Sequence, residues 1–388
     1  MLDVHAVRTA FEQVYGANGQ PVQYYFSPGR INLIGEHIDY NGGQVFPAAI
    51  SLGIYGAIRR RQDTSIVLTS TNAVPAVKLD ITKLLENCPE DGWANYPKGV
   101  IKHMLEAGYA LGGYDILFAG NLPDGTGLSS SAALLVLTAY MLRSMEPISI
   151  INRSELASFC KNVENRFIGV NCGIMDQFAV AMGRQDYAIL LDCQTLQYNY
   201  IPFVLKEHSM VIMNTNKKRE LAESKYNERH SECEQALAIL KRHRDLENLC
   251  QATLPEVETY LPDGILRQRA RHVVSENNRV QMAVSLLDKG EIEGFGKLML
   301  ESHLSLKCDY EVTGFELDVI VENALQAPGC IGARMTGAGF GGCAIALVET
   351  EFLPGFMTIV GARYNSEVGR NAEFYVVGIA DGVKRLEG

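Results

Sequence analysis

Between residues 120 and 134 the chain reads GNLPDGTGLSSSAAL. An apolar stretch, 114–119, runs into Pro123, Gly125 and Gly127, then three serines, then the apolar run 132–142. That order predicts a strand, a glycine-lined turn and a buried helix spanning about 128–143. Gly125 and Gly127 open backbone conformations closed to other residues and let a ligand approach closely. Free N–H groups at the helix start, with the helix dipole, favour an anion at the turn. Ser129, Ser130 and Ser131 add hydroxyls for phosphate oxygens or for Mg2+. One serine would serve as a helix N-cap; three after G-x-G exceed that need. The lysine of a Walker A loop is absent, and the dinucleotide fingerprint fails at Ser130.

The rest of the chain predicts a mixed α+β protein. At 388 residues it is long for one core and suits two domains. Strands are expected at 65–70, 187–192, 209–213 and 343–348, and an amphipathic helix through Leu156, Phe159, Cys160, Val163 and Phe167. Beyond residue 200 the texture changes to long charged helical stretches, 217–244 and 263–290, so the boundary is placed at 1–200 and 201–388. This order fits α+β better than alternating βαβα. A net charge of −10 argues against a general nucleic-acid or anionic-membrane surface. Nine irregularly spaced cysteines without a C-x-x-C pair read as reduced core thiols of a cytosolic protein. Residues 1–15 carry apolar positions at helical spacing interrupted by charge, which is not a signal peptide. The apolar run 132–142 is too short to cross a bilayer.

Several side chains stand out as candidates for chemistry. Asp176 sits in GIMDQF among apolar neighbours, where a carboxylate needs a partner; a capping or surface aspartate is the ordinary alternative. Arg30 follows Pro28-Gly29 in a tight turn, with a surface ion pair as its alternative. Glu36, His37 and Asp39 cluster in GEHIDY, an array suited to sugar hydroxyls, or else an exposed acidic loop. A metal reading of that cluster fits neither H-E-x-x-H nor an EF-hand. Glu164 lies at the edge of a helix's buried face, and TGAGFGG at 336–342 permits close backbone approach.

The residues 125–131 resemble the phosphate loop of the GHMP kinases. The segment SPGRINLIGEHIDYNGGQVFPAAI at 27–50 resembles the signature of their galactokinase branch, and RMTGAGFGGC at 334–343 the superfamily's third motif. WANYPKGV at 93–100, NCGIMDQF at 171–178, SKYNER at 224–229 and ESHLSL at 301–306 extend the likeness, in order, over nearly the whole chain. Ile38 stands where that branch usually has Thr, and Thr126 where Ala is common.

The resemblance implies an N-terminal ribosomal-protein-S5-like domain, a C-terminal ferredoxin-like domain and an active site in the cleft between them. It implies ATP-dependent phosphorylation of the anomeric C1 hydroxyl of α-D-galactose, the first committed step of galactose catabolism. Asp176 is implied as the base and Arg30 as its partner. Glu36, His37, Ile38, Asp39, Gly173 and Tyr226 are implied at the sugar, and Gly125, Thr126, Gly127, Leu128, Ser129, Ser130 and Ser131 at ATP. Ser131 and Glu164 are implied ligands of Mg2+. A kinase for a related sugar such as N-acetylgalactosamine, or a non-catalytic galactose- and ATP-binding sensor, stays open. The expected partners are galactose and MgATP, without nucleic acid or membrane, and the expected state is a cytoplasmic monomer.

Overall fold

The computed structural model describes residues 2–123, 125–146, 151–217 and 222–387. Its first half is organised by the long strand Val22–Asn32, paired antiparallel with Pro47–Arg60. The six-stranded sheet runs in the order Lys384–Leu386, Val22–Asn32, Pro47–Arg60, Tyr114–Gly120, Ser65–Ser70, Val77–Asp80. Among the described residues, Ser65–Ser70 and Tyr114–Gly120 are the one parallel pair in it. The predicted strand and helix around the serine loop are both present, as Tyr114–Gly120 and Ser130–Ser144.

Helix Ser130–Ser144 is apolar on nearly every side, and Ala132–Ala139, Met141 and Leu142 are all buried. A helix hydrophobic all round must be enclosed. Here it lies between the sheet and the helices Asn95–Glu106 and Arg153–Val163. The N-terminal helix Val4–Tyr15 seals the opposite face through Val7 and Phe11, against Tyr24, Ala57, Leu117 and Ala119.

One irregularity in this sheet positions the site. The pairing of Val22–Asn32 shifts register between Pro28 and Arg30. At that bulge a Cβ on Gly29 would lie 2.6 Å from Leu122 Cδ2 and 2.9 Å from the Leu128 carbonyl oxygen. The Arg30 N–H donates to that same carbonyl at 3.2 Å. A side chain at position 29 would push the serine loop off the strand, so glycine is required by close approach.

The second half carries a four-stranded antiparallel sheet, in the order Cys330–Thr336, Cys343–Glu349, His208–Asn214, Glu373–Val377. In chain order, helices separate His208–Asn214 from Cys330–Thr336 and Cys343–Glu349 from Glu373–Val377, which is the ferredoxin-like arrangement. Phe315–Leu325 and Leu353–Val368 pack on it. The charged stretches form Ala222–Leu240 and Ile265–Asp288; residues 218–221 of the first lie outside the described residues. Buried apolar side chains of both halves join in one contiguous cluster. The boundary expected at 200 falls inside the strand Tyr198–Pro202, just before the second sheet begins at His208, and the last strand, Lys384–Leu386, returns to the first sheet. All nine cysteines are free. No helix among the described residues is long and apolar enough to cross a membrane.

Candidate active site

The bulge at Gly29 turns Arg30 toward the start of the short helix Met175–Met182, where Asp176 occupies the first turn. Arg30 grips Asp176 through Nε to Oδ1 and Nη2 to Oδ2, both at 2.9 Å. Its Nη1 donates to the Gly127 carbonyl at 2.7 Å. Asp176 also accepts the Ser129 hydroxyl at 2.5 Å. A fork-on-fork pair of this kind fixes direction as well as charge. Arg30 is buried, while the Asp176 side chain keeps 30% of its surface exposed on the cleft side.

Capping would have been the ordinary use of Ser129, the residue before the helix. The structure rules it out. Ser129 is left-handed (φ 62°, ψ 44°), makes no side-chain bond to the helix N-terminus and spends its hydroxyl on Asp176. Gly125 (φ 69°) and Gly127 (φ 73°) make the turn before it. The Thr126 hydroxyl donates to the Pro123 carbonyl, and Leu128 belongs to the core. Those two side chains are therefore turned inward and leave only their backbone to a ligand.

Opposite Asp176 stands the GEHIDY loop. Glu36 is buried; it accepts from Asn32 Nδ2 (3.1 Å), Arg334 Nη2 (2.8 Å) and the Gly337 N–H (2.6 Å). Burial raises its pKa, and Arg334 and then Arg30 oppose the rise. Asp39 is pushed up to about 7, first by burial and then by the charge of Asp176. A Cβ on Gly173 would fall 1.8 Å from Asp39 Oδ2, so only glycine fits between the Asp39 carboxylate and the Asp176 helix. Tyr226 reaches in from helix Ala222–Leu240, and burial keeps its phenol protonated.

His37, implied at the sugar, lines the cleft with a ring whose nitrogens are both taken. Its Nε2 faces the Ala338 carbonyl at 3.1 Å, so that nitrogen carries the proton. Nδ1 then accepts from the Tyr40 hydroxyl (2.9 Å), which in turn accepts from Tyr310 (2.7 Å). Both ring nitrogens are engaged inside the protein, and the ring forms part of the cleft wall. Burial drops its pKa to about 3. Ile38 departs from its implied place at the sugar: its side chain is fully buried, packs near Gly43 and does not line the cleft.

The cleft encloses about 260 Å³ and brings together Arg30, Glu36, His37, Asp39, Ser131, Glu164, Gly173, Asp176 and Tyr226. That approaches the ~300 Å³ at which small-molecule pockets begin. Tyr96, Cys172 and Asn227, to which sequence reasoning gave no role, also line it, as do Gly337 and Ala338 from the segment read only as permitting close backbone approach. Their signal lay in segments already noticed, WANYPKGV, NCGIMDQF, SKYNER and TGAGFGG, but not taken to single residues. A second cavity of about 210 Å³ adjoins the first through Tyr96 and Ser131. Trp93, Phe118, Leu122 and Leu134 make it apolar, and Asn72, Ser70 and Ser130 give it polar edges.

Glu164 opens a wide five-residue helical turn, Glu164–Ile168, that continues Arg153–Val163. It is buried, accepts from Gln177 Nε2 at 2.6 Å and has its pKa raised by burial, with the adjacent Ser131 hydroxyl opposing. A serine hydroxyl beside a carboxylate at the phosphate loop is an oxygen donor set suited to a hard cation. No group of three or more His, Cys, Asp or Glu side chains among the described residues could hold a metal. A cation at Ser131 and Glu164 would complete its shell with water and phosphate.

Comparison with known proteins bears directly on this geometry. Residues 9–60 match the galactokinase galactose-binding signature, 95–184 the GHMP kinases N terminal domain and 283–354 the GHMP kinases C terminal. A galactokinase of Clostridium tetani is 49% identical over 99% of this chain and 98% of its own length. The chain belongs to the galactokinase family. Other galactokinases agree with that placement. The Fusobacterium nucleatum protein is 47% identical over 97% of this chain and 98% of its own. The crystal structure of Lactococcus lactis galactokinase complexed with galactose superimposes with a TM-score of 0.93 at 44% identity, covering 99% of this chain and all of the other. The Methanococcus jannaschii mevalonate kinase, at 18% identity and a TM-score of 0.69 over 94% of this chain and 99% of its own, shares the fold. As a galactokinase-family member the chain is a sugar kinase of the two-domain GHMP fold.

Proposed function

We propose that the chain phosphorylates the C1 hydroxyl of α-D-galactose with MgATP, giving galactose 1-phosphate and ADP. The observation that carries this reading is the position of Asp176. It is held by Arg30 and Ser129 with one flank toward the Glu36, Asp39 and Tyr226 cavity and the other toward the start of helix Ser130–Ser144.

In this reading the sugar lies against Glu36, Asp39, Gly173 and Tyr226, with its anomeric hydroxyl at Asp176. The proton of that hydroxyl passes to the carboxylate. The freed oxygen attacks the γ-phosphorus, and the bond from phosphorus to the oxygen bridging to the β-phosphate breaks, releasing ADP. Arg30 holds the Asp176 carboxylate in place and offsets charge on the transferring group. Backbone N–H groups of the 125–131 turn receive the phosphates, and the cavity between Trp93, Phe118 and Leu134 takes the base. Ser131 and Glu164 would hold Mg2+, whose chemistry is to neutralise phosphate charge. Two domains, 1–200 and 201–388, with the final strand crossing back, belong to the same proposal, as does a monomeric cytoplasmic enzyme.

The test is ADP release from MgATP against galactose, glucose, N-acetylgalactosamine, mevalonate and homoserine. Turnover on galactose far above the others is expected. Turnover on N-acetylgalactosamine in preference would shift the substrate. Galactose binding without turnover on any of the five would make the protein a sensor.

A further inference from the structure

The sugar-facing loop belongs to the first half, but it is held from the second. Helix Ile265–Asp288 reaches across to contact Gln44–Val45 and Tyr198–Pro202. On one of its faces, four residues apart, stand His272 and Glu276, both fully buried. Glu276 Oε1 accepts two consecutive backbone N–H groups of the loop, Gly35 at 2.9 Å and Glu36 at 3.2 Å. It also accepts the Ser302 hydroxyl at 2.6 Å, while Oε2 takes Arg279 Nε at 2.8 Å. His272 Nε2 faces the carbonyl of Glu36 at 3.1 Å. A carbonyl only accepts, so Nε2 carries the proton and Nδ1 accepts from Ser305 Oγ at 2.8 Å. One helix turn thus holds both the N–H and the C=O of Glu36, whose carboxylate lines the cleft.

The neighbourhood is shaped for that approach. A Cβ on Gly35 (φ 99°) would meet Val280 Cγ2, one turn beyond Glu276, at 3.0 Å. Asn277 Oδ1 accepts the Gln44 N–H at 2.9 Å. A buried carboxylate remains ionised only with partners of this kind; burial pushes the Glu276 pKa up, but Arg279 and then Arg334 draw it down to about 2.

We infer that Glu276, with His272, is the positioning residue for the sugar subsite: it sets the backbone of Glu36 from the opposite half of the molecule, and with it the direction of the carboxylate that meets the sugar. The inference rests on the proposed sugar-kinase reading. Neither residue touches the cleft, and neither contributes to the nucleotide side. Replacing the ionised carboxylate should therefore separate the two substrates.

In Glu276→Gln the KM for galactose should rise tenfold or more, and direct galactose binding without nucleotide should weaken by a like factor. KM for ATP should stay within twofold. Asn323→Ala removes a buried hydrogen-bonding amide in helix Phe315–Leu325, remote from the loop; matched for loss of Tm, it should leave both KM values unchanged. A Glu276→Gln enzyme with the Asn323→Ala loss of Tm and a galactose KM within twofold of the parent overturns the inference. Should Glu276→Gln not fold, Ser305→Ala serves. It frees the His272 tautomer without touching the loop and should raise the galactose KM at least threefold, and no rise overturns the idea. Hydrogen exchange of the Gly35 and Glu36 amides gives a readout that needs no substrate. It should accelerate in either variant, and unchanged exchange overturns the inference. Absence of galactose turnover in the parent, with accelerated exchange in the variants, would instead sink the functional reading alone.

Discussion

Two loops meet at Asp176, and they are built in opposite ways. Among the described residues of the 121–129 loop, Asn121 is bonded to Gly53 and the Thr126 hydroxyl to Pro123, while the Gly127 and Leu128 carbonyls meet Arg30 and Ser129 meets Asp176. Gly125 has no atom within 4 Å of where a Cβ would stand. The 32–43 loop is held nearly everywhere: Glu36 by Asn32, Arg334, Gly337, Glu276 and His272, and His37 by Tyr40 and Ala338. A triphosphate is recognised by backbone donors and charge, which tolerate an open turn. A sugar is distinguished by the placement of acceptors around its hydroxyls, and a misplaced acceptor leaves polar groups unpaired. The loop that must discriminate is therefore the one that is locked.

Asp176 stands between the two, and its removal should have the largest effect. In Asp176→Asn the amide cannot take the hydroxyl proton, and Arg30 loses its ionic partner. General-base contributions of roughly 10²–10⁴-fold set the expected loss in kcat. Galactose binding should survive, because Glu36, Asp39 and Tyr226 remain. A variant with kcat near that of the parent would remove Asp176 from the base role.

Crowding at Gly173 comes next. Alanine there would drive a methyl into the Asp39 carboxylate at 1.8 Å. Overpacking of this kind costs about 1–3 kcal/mol, which corresponds to roughly a 5- to 150-fold rise in the galactose KM. ATP should bind as before. Equal damage to both KM values would mean that the two loops are not independent.

Acid should act on the sugar side through Asp39. Its carboxyl, raised to about 7, holds a proton below that pH. Sugar hydroxyls donate best to the ionised form, so binding draws a proton off whenever pH lies below 7. The galactose KM should then fall roughly fivefold between pH 6 and 7 and by no more than about twofold above. Asp39→Asn should flatten that slope. A slope surviving in Asp39→Asn would assign the proton to another group.

How much of this could be read in the sequence differs between the two loops in the same way. The phosphate loop is contiguous: strand, glycines, serines and helix follow within 31 residues, Tyr114 to Ser144, and all were legible. The sugar loop was legible as a motif but not as a structure. Its restraints come from Glu276, His272, Arg334 and Ala338, some 240–300 positions away. In the sequence Glu276 is one more charge in a charged helical stretch, and nothing local marks it as fully buried. For the same reason His37 and Ile38 are both expected at the sugar, with nothing to mark the engaged ring of the one or the buried side chain of the other. Ring nitrogens satisfied by tertiary contacts, and a side chain turned into the core, leave no mark on spacing.

The smallest effect should come from Gly125→Ala, and it tests the open half of the comparison. The added methyl meets nothing within 4 Å, so the only cost is backbone. At φ 69° an alanine bears about 1–2 kcal/mol of left-handed strain. An anchored loop would pass all of that cost to the bound phosphates. A turn whose described anchors lie to either side of Gly125 can relax part of it away when empty and restore its shape when ATP binds. The expectation is an ATP KM raised by no more than about tenfold, with the galactose KM and Tm within error of the parent. A hundredfold loss would mean that the 125 turn is as tightly specified as its partner across the cleft, and that the contrast between the two loops does not reach their function.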